Sequence, residues 1–372
     1  MFGDSNNKIG TREFTSIIVY ILGIELSDAT PTILIKEGKN AGWMLAIISG
    51  IIAFISLGFL LKLLKKYKNK GLMEIVYLLT GKVGGFIIGM LFFFIMLFFT
   101  AVNTRGYVDI ISTIFFPQTP VIVLYVMLIG SSLYIASKGF EAIGRVSYIT
   151  QPYVITAIVI FIILILQQCN FAFLKPILGS GAKAVLKGGI TNSSIYGEII
   201  IIAVLYDKVI GYKEYKLSSL IGLSLGVFYV AFFCMLYIAI YDFPPAIIAN
   251  YLFQTSTRLI YVGRFVGNLE AFFFIFWLVV ALVRYSVYLY MGTAYLAYTI
   301  RLKDIKPLLV PFAALTLILG MIPENYFQAI EIMRQSMLKY SWVYIYSIPV
   351  LLYMFSNIKD NKVKVQKNQE GT

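Results

Sequence analysis

The sequence predicts an all-α integral membrane protein with ten transmembrane helices, and three observations carry that prediction. Of the 372 residues, 59% are hydrophobic and only 13% charged, too few charges to cover a soluble domain of this length. Apolar runs of about 18 residues or more recur along the chain, the length a helix needs to cross lipid. Phe, Tyr and Leu dominate these runs without the two-residue alternation of barrel strands, so the spans read as helices.

Hydropathy puts the spans at 14–35, 43–62, 84–108, 120–137, 147–167, 190–207, 217–241, 268–299, 307–323 and 341–357. The formal net charge of +13 raises the question of nucleic acid, and its distribution answers it. With a cytoplasmic N-terminus, 20 of the 31 basic residues fall on inner segments and nine on outer loops, Arg258, Arg264 and Arg334 among the outer set. That asymmetry follows the positive-inside rule with both termini cytoplasmic. The basic balance therefore reports orientation in the lipid bilayer, and nucleic acid is not an expected partner. Residues 1–358 read as a single polytopic membrane domain, and 359–372 as a polar cytoplasmic tail expected to be disordered. Residues 1–12 are polar and no apolar stretch ends in a small-residue cleavage site, so the first span is expected to be retained.

The first span is the least regular. Its middle reads GIELSDATPT (23–32), placing Glu25, Ser27, Asp28, Thr30 and Pro31 where lipid should be. An ionised group at mid-bilayer costs about 3 kcal/mol or more. Gly23 and Pro31 disfavour a regular helix, while Ser27 and Thr30 can satisfy freed backbone groups. A broken helix facing a protein-lined cavity reconciles these residues, presenting helix ends and unpaired backbone groups to a ligand. An outer helix end exposed to water is the competing reading.

Between spans two and three, residues 73–79 suit a short amphipathic helix in the interface. Near the outer end of span three, Arg105 and Asp109 stand four apart and read as a local ion pair. Tyr107 between them suits either the central cavity or interfacial anchoring. Span six, TNSSIYGEIIIIAVLYD (191–207), opens polar and carries Gly197 and Glu198 before an apolar run. If the fold is an inverted repeat, spans one and six are corresponding first helices, and interruption in both points to a midplane site. Residues 191–198 also fit an outer entry to the span, and Asp207 reads as its cytoplasmic end. In span eight, Arg284 lies deep among apolar residues, where it needs a carboxylate or backbone carbonyls; Glu25 or Asp28 is the preferred partner, with snorkelling as the alternative. Glu270 lies 14 residues earlier, about 21 Å along a helix, too far to serve. The stretch QAIEIMRQSMLKY (328–340) has helical spacing and is expected to pack on the outer face.

Several chemistries are excluded. The chain has no histidine, and Cys169 and Cys234 lie far apart without metal spacing. No nucleophile–base set is visible, so no enzyme activity, catalytic residue, metal or cofactor is expected.

With spans one, six and eight in view, the chain resembles the endospore germination permeases, the B-type subunits of germinant receptors within the amino acid–polyamine–organocation superfamily. The resemblance rests on IGTREF (9–14), AGWMLAIISG (41–50), RFVGNLEAFFFIFWLVVALVRYSVYLY (264–290) and LKDIKPLLVPFAALTLILGMIPEN (302–325). It implies a five-plus-five inverted repeat with discontinuous helices 1 and 6, repeat one at about 14–167 and repeat two at about 190–357. It implies a pocket between helices one, three, six and eight that recognises a small-molecule germinant, usually an amino acid. Carried over by position, that site takes Gly23, Glu25, Leu26 and Ser27 from the first break and Tyr196, Gly197 and Glu198 from the second; Asp28, Tyr107 and Arg284 join it from the reading above. The implied partners are a larger A-type membrane subunit and a C-type lipoprotein subunit, in the inner spore membrane. Three functions stay open on the residues themselves: a ligand-sensing subunit, a proton-coupled amino acid or amine transporter, and an ion-channel subunit.

Overall fold

The computed structural model describes residues 8–68, 70–249, 251–260, 269–325 and 327–370, the backbone alone for 360–370. Among the described residues it is all-helical, with no β-sheet. In chain order the helices are α1 Thr11–Gly23, α2 Thr30–Gly38, α3 Gly42–Lys66, α4 Leu72–Ile110, α5 Val121–Ser137, α6 Phe140–Ile165, α7 Ala182–Thr191 and α8 Glu198–Ile201. They continue with α9 Tyr212–Tyr241, α10 Phe243–Ile248, α11 Leu252–Arg258, α12 Leu269–Ile300, α13 Lys306–Gly320 and α14 Gln335–Glu370. Six helical stretches of the described residues have the length and apolar character to cross a membrane, and α5 and α13 are shorter apolar helices. The chain is a multi-pass membrane protein.

Two interruptions position everything that follows. The first falls inside GIELSDATPT: a 3₁₀ turn, Ile24–Ser27, separates α1 from α2, and Asp28 is extended at φ −102°, ψ −156°. Pro31 lies in the first turn of α2, where a missing N–H and a fixed φ cost nothing. The second interruption is longer. After α7 come a 3₁₀ turn at Ser193–Tyr196, the four-residue α8, and a further 3₁₀ stretch at Ile202–Lys208. Ile9 ties the two broken regions together, donating to the Lys208 carbonyl at 3.0 Å and accepting from the Ile210 N–H at 3.1 Å.

Close packing holds α1 in place against α9, α6 and α12. On α9, Gly222 and Gly226 are four apart, the small-residue spacing that lets membrane helices approach. A Cβ at Gly226 would stand 2.7 Å from Leu22 Cβ, and one at Gly222 would be 2.7 Å from Ile18 Cβ. Gly226→Leu is therefore expected to destabilise the chain by about 1–3 kcal/mol through overpacking. Thermal unfolding of the purified chain in detergent checks this, and an unchanged midpoint would contradict the close approach.

Three stretches outside the long spans take definite form. Residues 73–79 lie in a short amphipathic helical arm. They form the first turns of α4, divided from the rest by Gly81 at φ +76°, and Leu72, Met73, Ile75 and Val76 are buried. The 328–340 stretch packs by one side, with Ile332 and Tyr340 exposed on the other. It is a π-helix, Phe327–Arg334, running into α14, with Ala329, Ile330 and Arg334 buried. The backbone of α14 continues as far as Glu370. Arg264, counted among the outer basic residues, lies outside the described residues.

Candidate functional site

The break in the first span brings its acids to the centre of the bundle, where two arginines from distant helices meet them. Glu25 is the hub. Its Oε1 accepts from Arg284 Nη2, and its Oε2 accepts from Arg334 Nη2 at 2.7 Å and from the Thr30 hydroxyl. Asp28 Oδ2 accepts from the same Arg334 nitrogen at 2.7 Å and lies 3.7 Å from Arg284 Nη1. Its Oδ1 takes the Thr30 N–H at 2.7 Å, which also fixes the turn into α2. From the second break, Glu198 Oε1 accepts from Arg284 Nη2 at 3.1 Å and from the Tyr288 hydroxyl at 2.5 Å.

Helical spacing on α12 explains why one helix supplies so much of the wall. Trp277, Arg284 and Tyr288 follow at steps of seven and four, so they share a face. Arg284 Nε donates to Tyr288 at 2.9 Å, and Nη1 to the Tyr107 hydroxyl of α4 at 3.4 Å. Tyr107 in turn stacks on Trp277 at 4.9 Å and 7°. All five charged side chains are at most 3% exposed. Carrying such charges out of water costs several kcal/mol each, so their mutual pairing is what makes the arrangement tenable.

The backbone groups freed by the breaks are also claimed. Ser27 Oγ donates to the Ile24 carbonyl at 2.7 Å, Tyr237 to that of Leu26 at 2.9 Å, and Gln254 to that of Ser27 at 3.3 Å. Trp277 Nε1 donates to Ser27 Oγ at 2.9 Å. In the second break, Tyr346 donates to the Ser193 carbonyl at 2.6 Å and Tyr295 to that of Ile201 at 2.7 Å. Such accounting is what an interruption inside a membrane demands.

The sequence-derived site residues divide into groups. Glu25, Asp28, Glu198, Arg284 and Tyr107 converge, and the pairing preferred for Arg284 is present. Gly23, Leu26 and Ser27 instead border an apolar cavity of about 70 Å³ between α1, α6, α9 and α12, with Trp277 as the wall toward the charges. Tyr196 and Gly197 make no hydrogen bond to the charged groups. The Tyr196 hydroxyl is buried without a partner among the described residues, and Gly197 packs against Ile345. Arg105 and Asp109 pair locally at 2.9 Å, and Glu270 pairs with Arg258 rather than with Arg284. Asp207 lines a separate cleft of about 710 Å³ and accepts a hydrogen bond from Tyr298.

Two features were missed from the sequence. Arg334 was assigned to an outer loop, yet it is 3% exposed and reaches the heart of the site. The available signal was its spacing: Ile330, Arg334 and Met337 fall on one helical stripe, so the arginine occupied an apolar face. The protein-lined cavity expected at the break is, beside the charges, only a small void. The void beside Asp28, Asn103, Tyr107 and Arg334 holds about 10 Å³, room for roughly one water. The charges close on one another and occlude the centre.

The chain is similar to known proteins over most of its length. A family model described as spore germination protein matches residues 8–329. Spore germination protein KB of Bacillus subtilis (strain 168) is 22% identical over 291 residues, spanning 76% of each chain. Spore germination protein XB of Bacillus anthracis is 26% identical over 272 residues, spanning 70% of this chain and 73% of that one. Among solved structures, a nucleobase-cation-symport-1 family transporter, in a closed conformation with bromovinylhydantoin bound, superposes with a TM-score of 0.64. It is 12% identical in sequence and covers 94% of this chain and 75% of its own, a likeness of fold.

Proposed function

Because the chain belongs to the spore germination permease family, we propose that it is the ligand-sensing, multi-pass subunit of a germinant receptor rather than an enzyme. On this reading it has ten transmembrane helices in two inverted five-helix repeats, about 14–167 and 190–357. It sits in the inner spore membrane with both termini on the core side, beside an A-type membrane subunit and a C-type lipoprotein. A small germinant binds at the two breaks, and its unequal affinity for two conformations is what signals to the partners.

One observation carries the ligand class. Among the described residues, Glu25, Asp28 and Glu198 face two cations, Arg284 and Arg334, so the cluster is one positive charge short. Glu198 Oε2 is buried without a hydrogen-bond partner among the described residues. An amine-bearing germinant, such as an amino acid, supplies both the charge and the donors, while a dicarboxylate would add to the excess. Tyr107 borders the same centre, and Gly23, Leu26, Ser27, Tyr196 and Gly197 belong to the two breaks around it.

Equilibrium binding of amino acids, nucleosides and sugars to the purified chain tests this. Saturable binding confined to amine-bearing compounds is expected, weakened about tenfold by Glu198→Gln, the worth of one charge-assisted hydrogen bond. Equal binding of neutral sugars would contradict it. The transporter-like fold favours a second reading, a proton-coupled amino acid or amine transporter. Accumulation of an amino acid in proteoliposomes under a pH gradient, without other subunits, would select that alternative.

A further inference from the structure

We propose that Arg334 is a tethered occupant of the ligand's cation position, and that the π-helical segment Phe327–Arg334 is the gate it holds shut. The ligand part of this inference rests on the amine-binding reading above; the gate part does not.

Arg334 reaches across the fold. It stands at the junction with the last helix, yet its three hydrogen bonds all go to the first break: Glu25, Asp28 and the Thr30 hydroxyl at 2.8 Å. All three run from one nitrogen, Nη2, as an ammonium head would make them. A second clasp joins the same two elements at the surface, where Lys36 of α2 pairs with Glu331 at 2.8 Å. The Lys36 side chain is 49% exposed, so this outer pair contributes little by itself. The inner clasp is buried and short-ranged, and it must be replaced, not merely broken, if the acids are to stay compensated.

The gate's own geometry fits that exchange. A π-helix is rare and is frequently found at functional sites. Beneath it lies the one-water void bounded by Asp28, Tyr107, Ile330 and Arg334. A Cβ on Gly106 would stand 3.0 Å from Ile330 Cδ1, so the segment seats directly on α4. When a ligand ammonium takes the Glu25–Asp28 position, Arg334 loses its partners and the segment lifts. That displacement passes straight into α14. Entry is thereby restricted to molecules whose cationic group can displace a guanidinium, which makes Arg334 a specificity-determining residue.

The test needs no germinant. In the full chain carrying Cys169→Ser, a probe cysteine at Ala29, which is 4% exposed and borders the void, is labelled by a membrane-impermeant maleimide in nanodiscs open to both faces. Slow labelling is expected for the parent. Arg334→Ala should accelerate it at least about tenfold, because labelling tracks the open population. Asp28→Asn, which keeps the shape of the turn, should give a smaller acceleration and remains readable if Arg334→Ala does not fold. Millimolar ethylguanidinium should restore protection to Arg334→Ala, and N-ethylurea, its neutral counterpart, should not. No acceleration in either folded variant would overturn the gate. Equal protection by both additives would overturn the cation position while leaving the gate standing. Gating without binding of any amine in the ligand panel would reject the functional reading alone.

Discussion

Arg284→Met is expected to destabilise the folded chain by about 3–5 kcal/mol, the cost of removing one partner from a buried ion cluster. The side chain is 0% exposed and serves Glu25, Asp28 and Glu198 together. Without it, Glu198 loses its cation and Glu25 and Asp28 share Arg334. Tyr107 and Tyr288 keep their rings but lose the cation that orients their hydroxyls. Thermal unfolding in detergent should show the loss, and Glu25→Gln with Glu198→Gln in the same chain should recover part of it by removing two charges. A melting temperature unchanged by Arg284→Met would mean that the arginine is not structural.

Glu25→Gln should have the largest effect on ligand response. Among the described residues Glu25 alone accepts hydrogen bonds from both arginines, and its two oxygens divide between them. The neutral side chain loses the charge that meets the ligand's amine. It also turns an N–H₂ toward one guanidinium. With about 2–3 kcal/mol lost for a charge-assisted bond, affinity should fall about a hundredfold. Folding should suffer less than with Arg284→Met, because the remaining charges, Asp28 and Glu198 against two arginines, balance. Concentration dependence of binding reads this directly; an unaltered curve would remove Glu25 from the ligand's path.

Much of this arrangement was legible before any coordinates. Apolar runs gave the long helices, since a span must be nearly free of charge. Glu25, Asp28 and Arg284 announced themselves by being costly where they stood, and costly residues in lipid must find one another. Pro31 and Gly23 marked where the first helix yields. Arg334 escaped because a short polar-flanked segment after Pro323 and Asn325 reads as a connector, and a π-helix has no hydropathy signature of its own. The four-residue α8 escaped for a similar reason: its apolar residues continue into the 3₁₀ stretch without a break in composition. Occlusion of the centre was not legible either. Whether two arginines stand apart around a hollow or close upon three acids is a matter of tertiary packing, and local pattern does not encode it.

Trp277 offers a direct view of the site, because it hydrogen-bonds Ser27 at the first break and stacks on Tyr107 beneath Arg284. The chain has three tryptophans, so Trp43→Phe with Trp342→Phe leaves Trp277 as the sole indole emitter. Titrating that chain with its amine-bearing ligand should give a saturable change in Trp277 emission, with a midpoint shifted about a hundredfold by Glu25→Gln. Saturable binding by calorimetry with silent Trp277 emission, and the same affinity in Glu25→Gln, would place the ligand elsewhere and contradict a binding site at the broken helices.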